Sequence, residues 1–205
     1  MQLRLAVFAS GGGSNFRAIL ENSRSYEVVL CVSNRASAGA LTIAKEHDTP
    51  ACVVNPKEFA NKADYVQELL GVLRQHGVNF IALAGYLCKI PGAVVSEYSN
   101  RILNIHPALL PDFGGKGFYG MRVHEAVLRA GVPMTGATVH FVDEEYDTGP
   151  ILVQARVPVM PGDTAQQLAT RVLREEHVLY PKALSLVASG RVTVSGRKVT
   201  IHPAT

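Results

Sequence analysis

The chain is 205 residues long, 47% hydrophobic and 18% charged, with a formal net charge of +3. That suits one or two globular domains with a sizeable core. No basic run calls for nucleic acid, and the mild positive balance suits a small anionic ligand. No apolar run approaches the ~20 residues that span a bilayer. The odd set of Cys31, Cys52 and Cys88 points to reduced thiols and a cytoplasmic setting.

Residues 3–9 are an apolar run ahead of a glycine cluster, the pattern of a buried strand. Ser10-Gly11-Gly12-Gly13-Ser14-Asn15 follows, then Phe16, Ile19 and Leu20 at helical spacing. A strand, a glycine turn and a helix together make a phosphate-binding arrangement. Bare amides and the positive helix end face the anion, and Ser14 and Asn15 are available to cap the helix or donate to a phosphate. The dinucleotide fingerprint is only partly met: Phe16 stands where its third glycine belongs. The second strand, 28–33, ends in Ser33-Asn34-Arg35 without an acid for a ribose. Arg35 keeps an NADP-dependent oxidoreductase in view as an alternative.

Helices are expected over 38–47 and 62–76, the latter with Tyr65, Val66, Leu69, Leu70 and Leu73 on one face. Strands are expected over 52–54 and 80–84. The second of these is a continuous apolar run, suited to the middle of a parallel sheet. Leu87, Cys88, Lys89 and Ile90 then form an apolar loop at a strand's carboxyl end, and Pro91 opens a short helix.

Residues 101–105 read as a strand that stops at Pro107, which has no amide to donate. Side chains alternate along a strand, so Asn104 and His106 share one face. An amide and an imidazole at such an end suit oxyanion stabilisation and proton transfer. The 112–120 loop has four glycines and reads as a mobile active-site loop. A helix is expected over 122–130.

Strands 135–142 and 151–159 read as an antiparallel pair joined by an acidic loop, the second broken by Pro158. On the first, Thr138, His140 and Val142 share a face. One of Asp143, Glu144, Glu145 and Asp147 is placed to hold His106 and raise its pKa; spacing does not choose among them. Asp163, with Gln166 three residues on, is a capping-box pattern opening the last long helix. Leu168, Val172, Leu179, Ala183 and Leu186 form its apolar stripe, with Glu176 inside it. A carboxylate facing an apolar interior needs a partner, so Glu176 either escapes at the stripe's edge or meets a ligand in a cleft. Residues 191–194 and 199–202 make a terminal hairpin. The whole implies an α/β, doubly wound, Rossmann-like, mostly parallel sheet with helices on both faces and an antiparallel C-terminal extension.

Five segments occur in order: Ser-Gly-Gly-Gly-Ser-Asn, Leu83-Ala84-Gly85-Tyr86, Asn104-Ile105-His106-Pro107-Ala108-Leu109-Leu110-Pro111, Gly136-Ala137-Thr138-Val139-His140-Phe141-Val142 and Asp147-Thr148-Gly149-Pro150. In these the chain resembles the phosphoribosylglycinamide formyltransferases, folate-dependent enzymes of purine synthesis. The resemblance implies formyl transfer from 10-formyltetrahydrofolate to 5-phosphoribosylglycinamide, with no metal, no nucleic acid and no membrane, in a monomer or homodimer. It implies Asn104, His106 and Asp147 as catalytic and Gly13, Ser14 and Asn15 as the phosphate loop. Glu176 falls on a contact to substrate hydroxyls. Lys62, Leu87 to Ile90 and Asp143, Glu144, Glu145, Tyr146 and Asp147 fall on the folate site. One formyltransferase domain over 1–205 is expected, with a phosphate-binding half (1–100), a catalytic and folate half (101–190) and the hairpin (191–205). Cys88 and Leu173 depart from some relatives. A formyltetrahydrofolate hydrolase is the other alternative within the resemblance.

Overall fold

The computed structural model describes residues 2–204. The chain divides into two compact units, one ending at Leu103 and the other beginning at Asn104. In the first unit the strands are β1 (Leu3–Phe8), β2 (Tyr26–Ser33), β3 (Ala51–Val53) and β4 (Phe80–Leu83). Helices α1 (Ser14–Glu21), α2 (Gly39–Glu46), α3 (Lys62–Gln75) and α4 (Gly92–Glu97) connect or follow them. β1 pairs in parallel with both β2 and β4, and β2 with β3. The order is therefore β3-β2-β1-β4, and the winding reverses between β1 and β4. Leu5 to Ala9 are fully buried, as are Ile81 and Ala82, so the central strands lack any polar face. Both strands flanking the reversal point end in loops, where open α/β sheets take ligands.

The glycine turn departs from expectation in one respect. Neither Ser14 nor Asn15 caps α1; the cap is Gly13, in the left-handed region at φ 80°, with no side-chain bond. Glycine is required there twice over. A side chain would be strained at that φ, and its Cβ would stand 2.7 Å from the Ala40 Cα.

β5 (Ile102–His106) begins in the first unit and ends in the second. The second unit then holds α5 (Met121–Ala130), β6 (Met134–Phe141), β7 (Ile151–Pro158), α6 (Ala165–Ala188) and a separate hairpin of β8 (Val192–Ser195) and β9 (Lys198–Ile201). β6 and β7 are antiparallel, the expected extension. Pro158 ends β7 rather than breaking it, since a strand's last residue loses little by lacking a donor. A register shift at Val139/His140 leaves Leu152 unmatched in β7, a β-bulge opposite His140. The Leu110-Pro111 peptide bond is cis.

The α6 start lies one residue later than the capping pattern suggested. Thr164 is the cap and Gln167 closes the box. Asp163 instead accepts from the Met160 N–H and takes both Arg171 nitrogens at 2.7 and 2.8 Å. The buried face of α6 is Leu168, Val172, Glu176, Leu179, Tyr180, Ala183 and Leu184; Leu186 is only half-buried. Leu168 and Val172 are each fully buried, worth roughly 1.5–3 kcal/mol apiece. α6 packs on β6, β7 and α5.

Candidate active site

In the second unit two segments far apart in sequence meet. β5 carries Asn104 and the buried His106 to its end, and the loop after β6 brings Asp147 to them. Asp147 Oδ2 lies 3.6 Å from His106 Nδ1 and accepts from the Gly115 N–H at 2.9 Å. Its Oδ1 lies 3.6 Å from His140 Nε2 and 3.5 Å from Asn104 Nδ2. Of the four acidic loop residues, Asp147 is the one facing the imidazole. It sits at φ 56°, a region that costs an L-residue energy unless its surroundings impose it. Gly114 makes room: a Cβ there would press on Leu110 and come within 3.3 Å of the Asp147 Cβ.

His106 Nε2 donates to the Phe113 carbonyl at 2.8 Å. Both ring nitrogens thus face acceptors, which suits the protonated ring. Burial works the other way and prevails: it holds the His106 pKa below 6.5, although Asp147 and the Phe113 carbonyl pull upward and His140 pushes down. The expectation that Asp147 raises this pKa therefore holds for its own contribution and not for the net value. Burial would raise the Asp147 carboxyl, but His140, His106 and the Gly115 amide outweigh it and hold it below 3.8. On α5, His124 is buried with no hydrogen-bond partner for its Nδ1 among the described residues. Burial, then the neighbouring His106, press its pKa down to about 4.

Thr138 fixes the segment after His106. Its hydroxyl donates to the Ala108 carbonyl at 2.6 Å and accepts from the Leu110 N–H and from Gln154 Nε2. Glu176 is buried on α6 and does not escape at the edge of its apolar stripe. Asp143 accepts from the Glu145 N–H and the Thr148 hydroxyl and pairs with Arg197 of the hairpin at 3.6 Å. Glu144, Glu145 and Tyr146 are exposed.

In the first unit the loops at the winding reversal are tied by neutral hydrogen bonds. Ser10 Oγ donates to Asn34 Oδ1 at 2.6 Å and accepts from the Leu87 N–H at 2.8 Å. The Ser10 N–H donates to the Gly85 carbonyl, and Asn34 Nδ2 reaches Cys88 Sγ at 3.1 Å. Gly13, Ser14 and Asn15 open α1, and space is open beside Gly11 and Gly12. Leu87 and Lys89 are exposed and Cys88 half-buried, while Ile90 turns inward to the core. Burial holds the Cys88 thiol above its ordinary pKa despite nearby Arg35 and Lys57. Lys62 is the exposed first residue of α3.

The sequence reading gives Ser10, Asn34 and Phe113 no role of their own in the site. It weighs His140 only as a metal ligand beside His106 and His124, a reading that no tight His-x-x-x-His spacing supports. Among the described residues no cluster of His, Cys, Asp or Glu has metal-binding geometry, and no helix is long and apolar enough to cross a membrane.

Residues 3–184 match the model of the family described as formyl transferase. The chain belongs to the formyl transferase family. It is 49% identical over 195 residues to a chloroplastic phosphoribosylglycinamide formyltransferase of Arabidopsis thaliana, covering 92% of this chain and 66% of that protein. It is 38% identical to glycinamide ribonucleotide transformylase 1 of Symbiobacterium toebii, whose crystal structure superposes with a TM-score of 0.92 over 98% of this chain and 95% of that one. The phosphoribosylglycinamide formyltransferase of Anaplasma phagocytophilum gives a TM-score of 0.90 at 37% identity, covering all of this chain and 97% of that one. The chain thus spans just under two thirds of its plant relative and nearly the full length of these bacterial ones. Membership speaks for a formyl donor as co-substrate and against the NADP-dependent alternative.

Proposed function

We propose that this chain transfers a formyl group from 10-formyltetrahydrofolate to the amine of 5-phosphoribosylglycinamide in purine synthesis. The observation that carries the reading is the convergence of Asn104 and Asp147 around the buried His106. The amine nitrogen attacks the formyl carbon, whose C=O electron pair moves onto oxygen. Asn104 donates to that oxyanion. His106, neutral at rest, takes the proton shed by the attacking nitrogen, and Asp147 with the Phe113 carbonyl steadies the imidazolium so formed. Collapse restores the C=O bond and expels the folate nitrogen, which recovers the proton from His106. A protonated resting ring fits its lowered pKa less well.

In this reading 1–100 is the phosphate-binding half, where Gly13, Ser14 and Asn15 receive the substrate phosphate. Residues 101–190 form the catalytic and folate half, in which Glu176 meets the ribose hydroxyls. Lys62, Leu87 to Ile90 and Asp143 to Asp147 take the folate, with Ile90 as packing support rather than a direct contact. Three free thiols fit a reducing, cytoplasmic compartment. Incubating the purified protein with a 10-formyl folate analogue, with and without phosphoribosylglycinamide, tests the proposal. Deformylation only in the presence of the ribotide is expected. Equal release without it makes the chain a hydrolase, and none in either case refutes the reading.

A further inference from the structure

His140 is 1% exposed and touches two members of the cluster, yet the formyl-transfer steps above assign it no part. Its Nδ1 lies 2.8 Å from the Phe141 carbonyl, an acceptor, so Nδ1 carries the proton. Paired with the Asn104 amide nitrogen, Nε2 is the acceptor and presents its lone pair. That lone pair stands 3.1 Å from Asn104 Nδ2 and 3.6 Å from Asp147 Oδ1. Two acceptors so close need a donor between them, and the Asn104 amide supplies it. Its oxygen in that place would face a lone pair and a carboxylate at once. The amide orientation therefore follows from its partners. One N–H is taken by His140 at hydrogen-bond distance. The other rests 3.5 Å from Asp147, too long to hold it firmly. The β-bulge at Leu152 lies opposite His140 in β7, and bulges beside sites re-aim side chains.

We propose that His140 is a positioning residue. It anchors one N–H of Asn104, which fixes the amide face and leaves the second N–H as the donor to the developing oxyanion. The inference rests on the reading of Asn104 as that donor.

The test is a double-mutant cycle on kcat with Asn104→Ala and His140→Leu, alone and combined, and with His140→Gln, whose side-chain oxygen restores an acceptor near the Nε2 place. His140→Leu is expected to lose on the order of 100-fold in kcat, with KM for both substrates within about threefold of the parent. The double variant is expected to be no slower than Asn104→Ala, because His140 acts through Asn104. His140→Gln is expected to recover about tenfold of the loss. Losses that multiply in the double variant, or a folded His140→Leu within about threefold of the parent, overturn the role of His140. Near-parent kcat in Asn104→Ala overturns the donor role of Asn104 instead. Should urea unfolding of His140→Leu lack a cooperative transition, the cycle is run with His140→Gln. A loss that vanishes in the Asn104→Ala background supports the role, and one that persists there overturns it.

Discussion

The loop cluster of the first unit and the imidazole–carboxylate cluster of the second are built on different physics. In the first, Ser10, Asn34, Gly85 and Leu87 are joined by neutral hydrogen bonds, most of them involving the backbone. Nothing in that network titrates near neutral pH. It can present amides and shape, and it does so equally at pH 6 and pH 8. The second places Asp147 between two imidazoles, with a third, His124, close behind His106. Burial there opposes every charge; partners restore only part of what it removes from His106, and more than all of it for Asp147. In the proposed function the first arrangement holds a ligand and the second moves a proton. The same fold supplies both because each lies where strands end in loops.

The largest expected effect breaks the second cluster. His106→Ala should lower kcat by on the order of 100- to 1000-fold while the folded state persists. A steady-state assay beside a circular-dichroism spectrum checks it, and near-parent kcat would remove His106 from the chemistry. Next comes a stability effect confined to the second unit. The His124 pKa is about 4 in the folded protein against 6.5 for the free side chain. Between those values the unfolded chain binds a proton that the folded chain refuses. Stability present above pH 6.5 is therefore lost as pH falls toward 4, by up to about 3 kcal/mol. His106 adds loss of the same sign. Urea unfolding at pH 7 and pH 4.5 should show the drop, and His124→Leu should shrink it. An unchanged difference between the two pH values would contradict the assignment.

The matching break in the first unit is smaller and independent of pH. Gly13→Ala places a side chain at φ 80° and a Cβ against Ala40. It should cost about 1–2 kcal/mol for the backbone alone, the same at pH 7 and pH 6, and weaken binding of the phosphorylated substrate. Isothermal titration and urea unfolding measure the two parts. A loss that depends on pH would blur the distinction between the clusters.

Much of this was legible before any coordinates. The apolar runs, glycine turn and alternating 135–142 stretch gave strands and helices within a residue or two of their observed bounds. Asn104 and His106 could be placed on one strand face because period-two alternation is local. Helical spacing placed Glu176 inside the apolar stripe of α6 but did not decide whether it escapes at the edge; the structure buries it. What escaped depends on contacts between distant segments. Gly13, not Ser14 or Asn15, is the α1 cap, and Ala40 demands glycine there, though nothing near residue 13 announces residue 40. Thr164 takes the α6 cap from Asp163 because Arg171, a turn and more away, claims that carboxylate. The His106 pKa was read from its partner's charge, whereas its burial, a property of the packed unit, decides the sign.

The most direct measurement is the pH dependence of single-turnover formyl transfer in the parent and in Asp147→Asn. The account predicts an acid limb in the parent with its inflection below pH 6.5, where neutral His106 is lost. It predicts a slower Asp147→Asn whose inflection lies lower still, because the upward pull of the carboxylate is gone. Two profiles that superimpose in both rate and inflection would contradict it.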